Sequence, residues 1–183
     1  MMTTVYYTRH GLTEWNKENK TQGRFDIPLS IEGREQAEGL KKSLALVHLD
    51  KAYSSPLCRA YETAEIALQG RKIEIVKDPR LLEINYGDID GKSRFDPFLK
   101  ENSARVAYHY PHGENYFQAA CRIYSFFDER KEKEKGKNIL VVGHQGISRI
   151  VYSYFHDRSN EEFFTFKVDN CQLMTFVLDD GSI

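Results

Sequence analysis

The sequence is poor in cysteine, and its cysteines lack the spacing that cysteine-based sites require. Only three occur among 183 residues, Cys58, Cys121 and Cys171, and no two of them form a C-x-x-C pair. An odd number of widely separated cysteines fits neither a disulfide framework nor a structural zinc site. We therefore interpret all of them as reduced residues with structural roles.

A charge excess of one sign and long hydrophobic runs are also missing. The 26 Lys and Arg residues stand against 27 Asp and Glu residues, which leaves a formal net charge of −1. This balance argues against a nucleic-acid or anionic membrane partner bound through bulk charge. No apolar run approaches the roughly 20 residues of a membrane-spanning helix, and residues 1–9 do not resemble a secretory signal. We expect a cytoplasmic protein, whose oligomeric state the sequence does not specify.

What the sequence does contain is an alternation of strand-like and helix-like segments without an internal repeat or a linker. The predicted strands are residues 4–8, 51–54, 73–76, 138–142 and 172–178. Predicted helices begin at Ser30, at Ser55-Pro56, and near residues 95, 114 and 147, while residues 78–112 are rich in loops. This order favours one α/β domain with a mostly parallel sheet.

Cationic and imidazole side chains follow three of the predicted strands. Arg9 and His10 follow the first strand, Arg59 follows the second, and His144 follows the buried strand at 138–142. Because ligands bind at the carboxyl ends of parallel strands, these groups are expected to converge. Together with the free N–H groups of helix starts, they describe a site for a dianionic phosphoryl group.

Other chemistries have weaker support. No G-x-x-x-x-G-K-[ST] or G-x-G-x-x-G motif is present, so a triphosphate or dinucleotide site is not indicated. His109 and His112 lie near Glu114 and suggest a metal site, but no third well-spaced ligand accompanies them, so we favour a structural or pocket-rim role. Taken singly, Arg59 is also explained as a helix-surface residue and His144 as a packed turn residue.

Five ordered sequence blocks resemble the histidine phosphatase superfamily, whose members include the phosphoglycerate-mutase-like enzymes. The blocks are Thr8-Arg9-His10-Gly11-Leu12-Thr13-Glu14-Trp15-Asn16; Gln22-Gly23 with Asp26-x-Pro28-Leu29-Ser30; Ser54-Ser55-Pro56-Leu57-x-Arg59-Ala60-x-Glu62-Thr63-Ala64; Leu82-Glu83-Ile84 with Gly87-Asp88 and Gly91; and Val142-Gly143-His144-x-Gly146. The resemblance implies a three-layer α/β/α fold with a mostly parallel central sheet. Residues 1–183 would form a single histidine phosphatase domain, with a loop-rich cap segment at roughly 84–113.

The resemblance also implies a reaction through a phosphohistidine that requires no metal or other cofactor. His10 would be the nucleophile, and Glu83 would donate a proton to the leaving oxygen. Arg9, Arg59 and His144 would bind the phosphoryl group. Asn16, Gln22, Gly23, Tyr86 and Gly11 are the further expected phosphate or substrate contacts, with the carbonyl of Gly11 orienting His10. Arg9 and Arg59 would disfavour a second proton on the nucleophilic ring.

The sequence favours a phosphatase over its alternatives. Only 60 residues separate Glu83 from His144, fewer than in cofactor-dependent phosphoglycerate mutases, and Arg24 replaces the Trp of their first loop. We therefore expect a phosphomonoesterase acting on a small phosphorylated metabolite, with the mutase as the alternative. A non-catalytic phospho-ligand binder is a third reading.

The substrate is left open by the sequence. A set of aromatic and histidine side chains within residues 86–112 fits a substrate rim and a packed cap equally well. Arg24 and Arg105 are candidates for recognising a second acidic group, although solvated surface positions explain them more simply. The resemblance does not choose among these readings.

Overall fold

The computed structural model describes residues 2–179, which form a five-stranded sheet flanked by helices. The strands are β1 (Thr3–Arg9), β2 (Lys51–Ser54), β3 (Ile75–Lys77), β4 (Asn138–Gly143) and β5 (Leu173–Leu178). Their order in the sheet is β3-β2-β4-β1-β5, and only β5 runs antiparallel to its neighbour. The predicted mostly parallel α/β sheet is confirmed.

The helices are α1 (Glu14–Lys17), α2 (Ile31–Ser43), α3 (Cys58–Ala67), α4 (Pro97–Asn102), α5 (Tyr116–Lys133), α6 (Gln145–Phe155) and α7 (Asn160–Thr165). Helix α2 begins as predicted, because the hydroxyl of Ser30 accepts a hydrogen bond from the backbone N–H of Gly33. Two single turns of 3-10 helix occur at Pro79–Leu81 and Gly87–Ile89.

The alternating side chains of β4 divide the core into two layers. Leu140 and Val142 pack with α2 and α3, whereas Ile139 and Val141 pack on the other face with α5 and α6. All four side chains are fully buried, and each contributes about 1.5–3 kcal/mol through removal of apolar surface from water. Helices therefore cover both faces of the sheet, as a three-layer arrangement requires.

The predicted start of α3 is wrong. The sequence predicts a helix that begins at Ser55-Pro56, but the helix begins at Cys58 and its cap residue, Leu57, supplies no side-chain bond. Instead, the carboxylate of Asp26 accepts a hydrogen bond from the N–H of Cys58 at 2.6 Å. A carboxylate from a distant loop thus pairs with a backbone N–H at the start of α3, in place of a side chain next to the helix.

Other element boundaries also differ from the prediction. Strand β3 starts at Ile75 rather than at residue 73, and α5 and α6 begin at Tyr116 and Gln145. The short helices α1 and α7 were not predicted, because four and six residues are too few to show a helical period. Each is held by a capping box, formed around Thr13 in α1 and around Ser159 in α7.

The segment at residues 84–113 leaves the α/β core and returns to it through a narrow base. The N–H of Glu114 donates to the carbonyl of Asn85, and the N–H of Asp88 donates to the carbonyl of Pro111. Gly87 has a φ of +56°, and a Cβ there would lie only 1.9 Å from the carbonyl oxygen of Pro111. Beyond this base, the segment has a small apolar cluster of its own, formed by Ile89, Leu99 and Tyr110 with Tyr86 and Tyr108.

Candidate active site

The parallel register of the sheet brings the predicted site residues to one edge. Arg9 at the end of β1 pairs with Gly143 at the end of β4, and Ser54 at the end of β2 pairs with Val142. His10 and His144 directly follow these paired strand ends, and their ring centroids lie 5.1 Å apart. The expected convergence at the carboxyl ends of the strands is observed.

The ring of His10 is buried and has one tautomer fixed by the backbone. Its Nδ1 lies 2.7 Å from the carbonyl oxygen of Gly11, and because a carbonyl oxygen only accepts, Nδ1 carries the hydrogen. The Nε2 atom therefore holds the free lone pair. Burial, followed by the charges of Arg59 and Arg9, holds the pKa of His10 well below its ordinary value of 6.5.

Close packing beneath this turn sets the position of the Gly11 carbonyl. A Cβ on Gly11 would lie 2.4 Å from the carbonyl oxygen of Gly33 in the first turn of α2. The N–H of Gly11 donates to the hydroxyl of Thr63 at 3.0 Å. Neighbours on α2 and α3 therefore hold the backbone that orients His10.

Two buried guanidinium groups flank His10. Arg59 is fully buried, and its two terminal nitrogens donate to the carbonyls of Phe25 at 2.6 Å and Gly23 at 2.9 Å. Arg9 donates from Nη1 to the carbonyl of Val168 at 3.0 Å. Burial, with the nearby charge of Arg94, lowers the pKa of Arg9 to about 10, so both arginines carry their charge at neutral pH.

Several buried polar atoms around His10 have no hydrogen-bond partner within residues 2–179. They are Nε of Arg9, Nε of Arg59, Oε1 of Gln22 and both ring nitrogens of His144. Leaving a buried polar group without a partner costs about 1–3 kcal/mol. The unpartnered donors in this set, next to two cationic groups, indicate an anion-binding site.

The carboxylate of Glu83 lies at the N-terminus of α6. It accepts hydrogen bonds from the backbone N–H groups of Ile84 at 2.8 Å, Gly146 at 2.9 Å and Ile147 at 3.1 Å. Helix α6 has no side-chain cap of its own, so the side chain of Glu83 takes that place. Gly146 is essential to this approach, because a Cβ there would lie 2.4 Å from Oε1 of Glu83.

These groups surround an open cavity of about 220 Å³. Eight of the ten predicted site residues line it, namely Arg9, His10, Asn16, Gln22, Gly23, Arg59, Glu83 and Tyr86. His144 is packed against His10, and Gly11 contributes its carbonyl. The structure therefore brings all ten residues together.

The cavity also has walls that the sequence reasoning missed. They include Arg94, Leu99, Lys100 and Ser103 from the segment 84–113, together with Thr21, Tyr116, Gln145, Gly146 and Arg149. One sequence pattern could have predicted part of this wall. Gln145 and Gly146 precede Arg149 by four and three residues, which places all three on the same face of a helix that begins at the site.

The loop between α7 and β5 was missed as well. The carbonyl of Phe166 accepts from Gln145 at 3.1 Å and from Arg149 at 3.3 Å. The side-chain amide of Asn170 donates to the carbonyl of His10 at 2.7 Å. This loop also provides the carbonyl that holds Arg9, and no local pattern in its sequence marks that role.

A known protein family matches nearly the whole chain. The family model for the histidine phosphatase superfamily (branch 1) matches residues 5–183. The chain belongs to the histidine phosphatase superfamily.

Similar proteins agree with this assignment. Phosphoserine phosphatase 1 of Hydrogenobacter thermophilus is 28% identical, over 98% of this chain and 88% of the relative. Phosphoglycerate mutase-like protein 4 of Arabidopsis thaliana is 32% identical, over 97% of this chain and 80% of the relative. The crystal structure of the alpha-ribazole phosphatase from Shigella flexneri has a TM-score of 0.82 and 26% identity, over 94% of this chain and 89% of that one. The histidine phosphatase is a phosphoric monoester hydrolase with the predicted fold.

Several other candidates lie outside the cavity of this histidine phosphatase. His112 is exposed and contacts Asp88, while Nδ1 of His109 contacts the carbonyl of Tyr110. Within residues 2–179 there is no group of three or more His, Cys, Asp and Glu side chains that could hold a metal ion. No helix in the same range is long and apolar enough to cross a membrane.

The two arginines considered for a second acidic group are engaged elsewhere. Arg24 pairs with Glu114 at 3.2 Å and donates to the carbonyl of Glu83 at 2.7 Å. Arg105 donates to the side chain of Asn102 and lies over the ring of Tyr108. Arg24 thus supports the loop of Glu83, and Arg105 lies within the segment 84–113.

Proposed function

We propose that this enzyme hydrolyses the phosphomonoester of a small metabolite through a phosphohistidine formed on His10. Arg9, Arg59 and His144 would bind the phosphoryl group, assisted by Asn16, Gln22 and Gly23. Glu83 would transfer protons to and from the oxygen atoms. The observation that carries this proposal is the set of buried, unpartnered polar atoms beside a neutral, oriented imidazole.

The first step follows from the state of His10. Its Nε2 lone pair attacks phosphorus, the N–P bond forms, and the bond from phosphorus to the ester oxygen breaks. Charge that develops on the phosphoryl oxygens is stabilised by the guanidinium groups of Arg9 and Arg59, which are already in place and excluded from bulk water. Glu83 acts as the general acid and gives a proton to the leaving oxygen.

The second step uses Glu83 in its other form. Three backbone N–H groups hold its side chain in place. This carboxylate removes a proton from water, whose oxygen attacks phosphorus while the N–P bond breaks. His10 returns to its neutral state, and inorganic phosphate leaves.

We also propose that residues 1–183 act as one domain and that the segment 84–113 serves as a cap over the site. Arg94, Leu99, Lys100 and Ser103 of this segment line the cavity, so its position limits the size of the leaving group. Tyr86, at the base of the segment, makes a T-shaped ring contact with Tyr110 and lines the cavity.

The experiment is to trap the intermediate. A brief reaction with radiolabelled substrate, quenched in alkali, should leave label on the protein that is stable in base and released in acid, as a phosphohistidine requires. His10→Ala should abolish both labelling and turnover, whereas His109→Ala, which changes a histidine outside the cavity, should retain both. Labelling of the His10→Ala protein, or turnover by it, would contradict the assignment.

A relative named as phosphoglycerate mutase-like is 32% identical to the chain, so the mutase alternative is tested as well. The same protein preparation is used. Interconversion of 3- and 2-phosphoglycerate in the presence of 2,3-bisphosphoglycerate, without phosphate release, would favour the mutase. Phosphate release without interconversion is the result expected here. Binding of phosphorylated ligands without either reaction would indicate a binding protein.

A further inference from the structure

The cavity holds more positive charge than one phosphoryl group needs. Five cationic side chains line it, Arg9, Arg59, Arg94, Lys100 and Arg149, against a single carboxylate, Glu83. Arg9 and Arg59 flank His10 and neutralise a phosphoryl dianion. The other cations remain to be explained.

These remaining cations are not equivalent. Arg94 and Lys100 are exposed, so water and salt screen their charges. Arg94 also acts on the phosphoryl side, because its charge is felt by Arg9 and His10. Arg149 is half-buried on α6 and lies near Tyr116, Tyr86 and Glu83.

Arg149 is held rigidly without a charged partner. Its Nε donates to the carbonyl of Phe166 at 3.3 Å and its Nη1 to the hydroxyl of Tyr116 at 3.0 Å. Within residues 2–179 its Nη2 makes no hydrogen bond and its guanidinium forms no ion pair. Two neutral oxygens therefore orient this half-buried cation and leave its charge available.

The position of Arg149 relates it to the leaving group. Gly146, whose N–H contacts the carboxylate of Glu83, lies one helical turn before Arg149 on the same face of α6. In the proposed reaction Glu83 protonates the leaving oxygen, so the alcohol portion of the substrate lies between Glu83, Tyr86 and Arg149. This step rests on the proposed function.

We propose that Arg149 recognises an anionic group, a carboxylate or a second phosphate, on the alcohol portion of the substrate. The preferred substrates are then compact phosphorylated acids, and Arg149 determines specificity. A planar guanidinium with a free edge suits both kinds of anion.

The test compares substrates that differ only in this group. Glycerol 3-phosphate carries a neutral hydroxymethyl group where 3-phosphoglycerate carries a carboxylate, and glycerol 1,3-bisphosphate carries a second phosphate on that hydroxymethyl group. The wild-type enzyme should have a kcat/KM about 10- to 100-fold higher for one of the two acidic substrates than for glycerol 3-phosphate, as expected for one charged hydrogen-bond pair. Which acidic substrate shows the gain identifies the anion.

Variants then assign this preference to Arg149. Arg149→Met should remove most of the preference, chiefly through a higher KM for the acidic substrate, and Arg149→Lys should restore part of it. Arg34→Met, which changes an exposed arginine of α2 that pairs with Glu62 outside the cavity, should keep the wild-type preference. Absence of a preference in the wild type, or an equal loss for acidic and neutral substrates in Arg149→Met, would overturn the proposal.

The result is separable from failure of the proposed function. If the enzyme forms phosphohistidine and releases phosphate from p-nitrophenyl phosphate but shows no preference for acids, only the role of Arg149 is wrong. If no phosphohistidine forms with any of the substrates, the proposed reaction itself is wrong.

Discussion

Gly146→Ala tests the role of Glu83 without changing a reacting group. A Cβ at residue 146 would lie 2.4 Å from Oε1 of Glu83 and 2.9 Å from the hydroxyl of Tyr86, whereas ordinary contact begins at 3.4 Å. Because the helix backbone cannot retreat easily, the carboxylate must move by about 1 Å, and a displacement of that size costs about 10²-fold in rate.

The expected loss depends on the leaving group. The kcat/KM for an alkyl phosphate should fall about 100-fold, because its alkoxide needs a proton as it leaves. The kcat/KM for p-nitrophenyl phosphate should fall less than about fivefold, because nitrophenolate leaves without one. Steady-state phosphate release from both substrates is the assay, and kcat/KM is used because it reports only the steps up to phosphorylation of His10.

Stability is the control for this reasoning. The added methyl overpacks the site by about 1–3 kcal/mol, partly offset by a gain of about 1 kcal/mol in helix propensity, so the variant stays folded. Gly39→Ala introduces the same methyl into α2 where no atom lies within 4 Å, and it should leave both rates unchanged. Equal losses with both substrates, or full activity towards the alkyl phosphate, would refute the assigned role of Glu83.

Two further predictions concern stability and dynamics. Burial and neighbouring cations hold the pKa values of His10 and His144 well below 6.5. Below pH 6.5 the unfolded chain therefore binds more protons than the folded chain. As the pH is lowered, the free energy of unfolding should fall by up to about 1.4 kcal/mol per pH unit for each histidine. Urea unfolding between about pH 5 and 7.5 measures this slope, which should be smaller in His144→Gln; identical slopes would contradict it. Gly87→Ala forces a Cβ to within 1.9 Å of the Pro111 carbonyl at a φ of +56°, so amide hydrogen exchange should accelerate in residues 84–113 but not in α5, and a uniform change would refute a local effect.

The sequence was most informative about the candidate site, because each chemical role there requires a particular type of side chain. The five sequence blocks identified His10, Arg9, Arg59, Glu83 and His144, and the structure brings these residues to one edge of the sheet. Strand β2 has the predicted bounds, and the bounds of β1, β4 and β5 differ by one or two residues. Buried strands are readable because their apolar runs are continuous.

Local patterns failed where distant groups replace local ones. Asp26 satisfies the N-terminus of α3, and Glu83 satisfies that of α6, although Gly146 lies 63 positions after Glu83. The carbonyls that orient Arg59 belong to the loop at residues 23–25. No periodicity records such pairings, because they depend on how the loops fold over the sheet.

The sequence by itself thus determined the alternating α/β architecture and the chemical groups of the site, since side-chain type and order along the chain are sufficient for both. Tertiary structure alone decided the tautomer of His10, the exclusion of Arg24 from the cavity and the availability of Arg149. The physical reason is that tautomer, burial and free charge depend on the neighbours of a group, and those neighbours come from parts of the chain far apart in sequence.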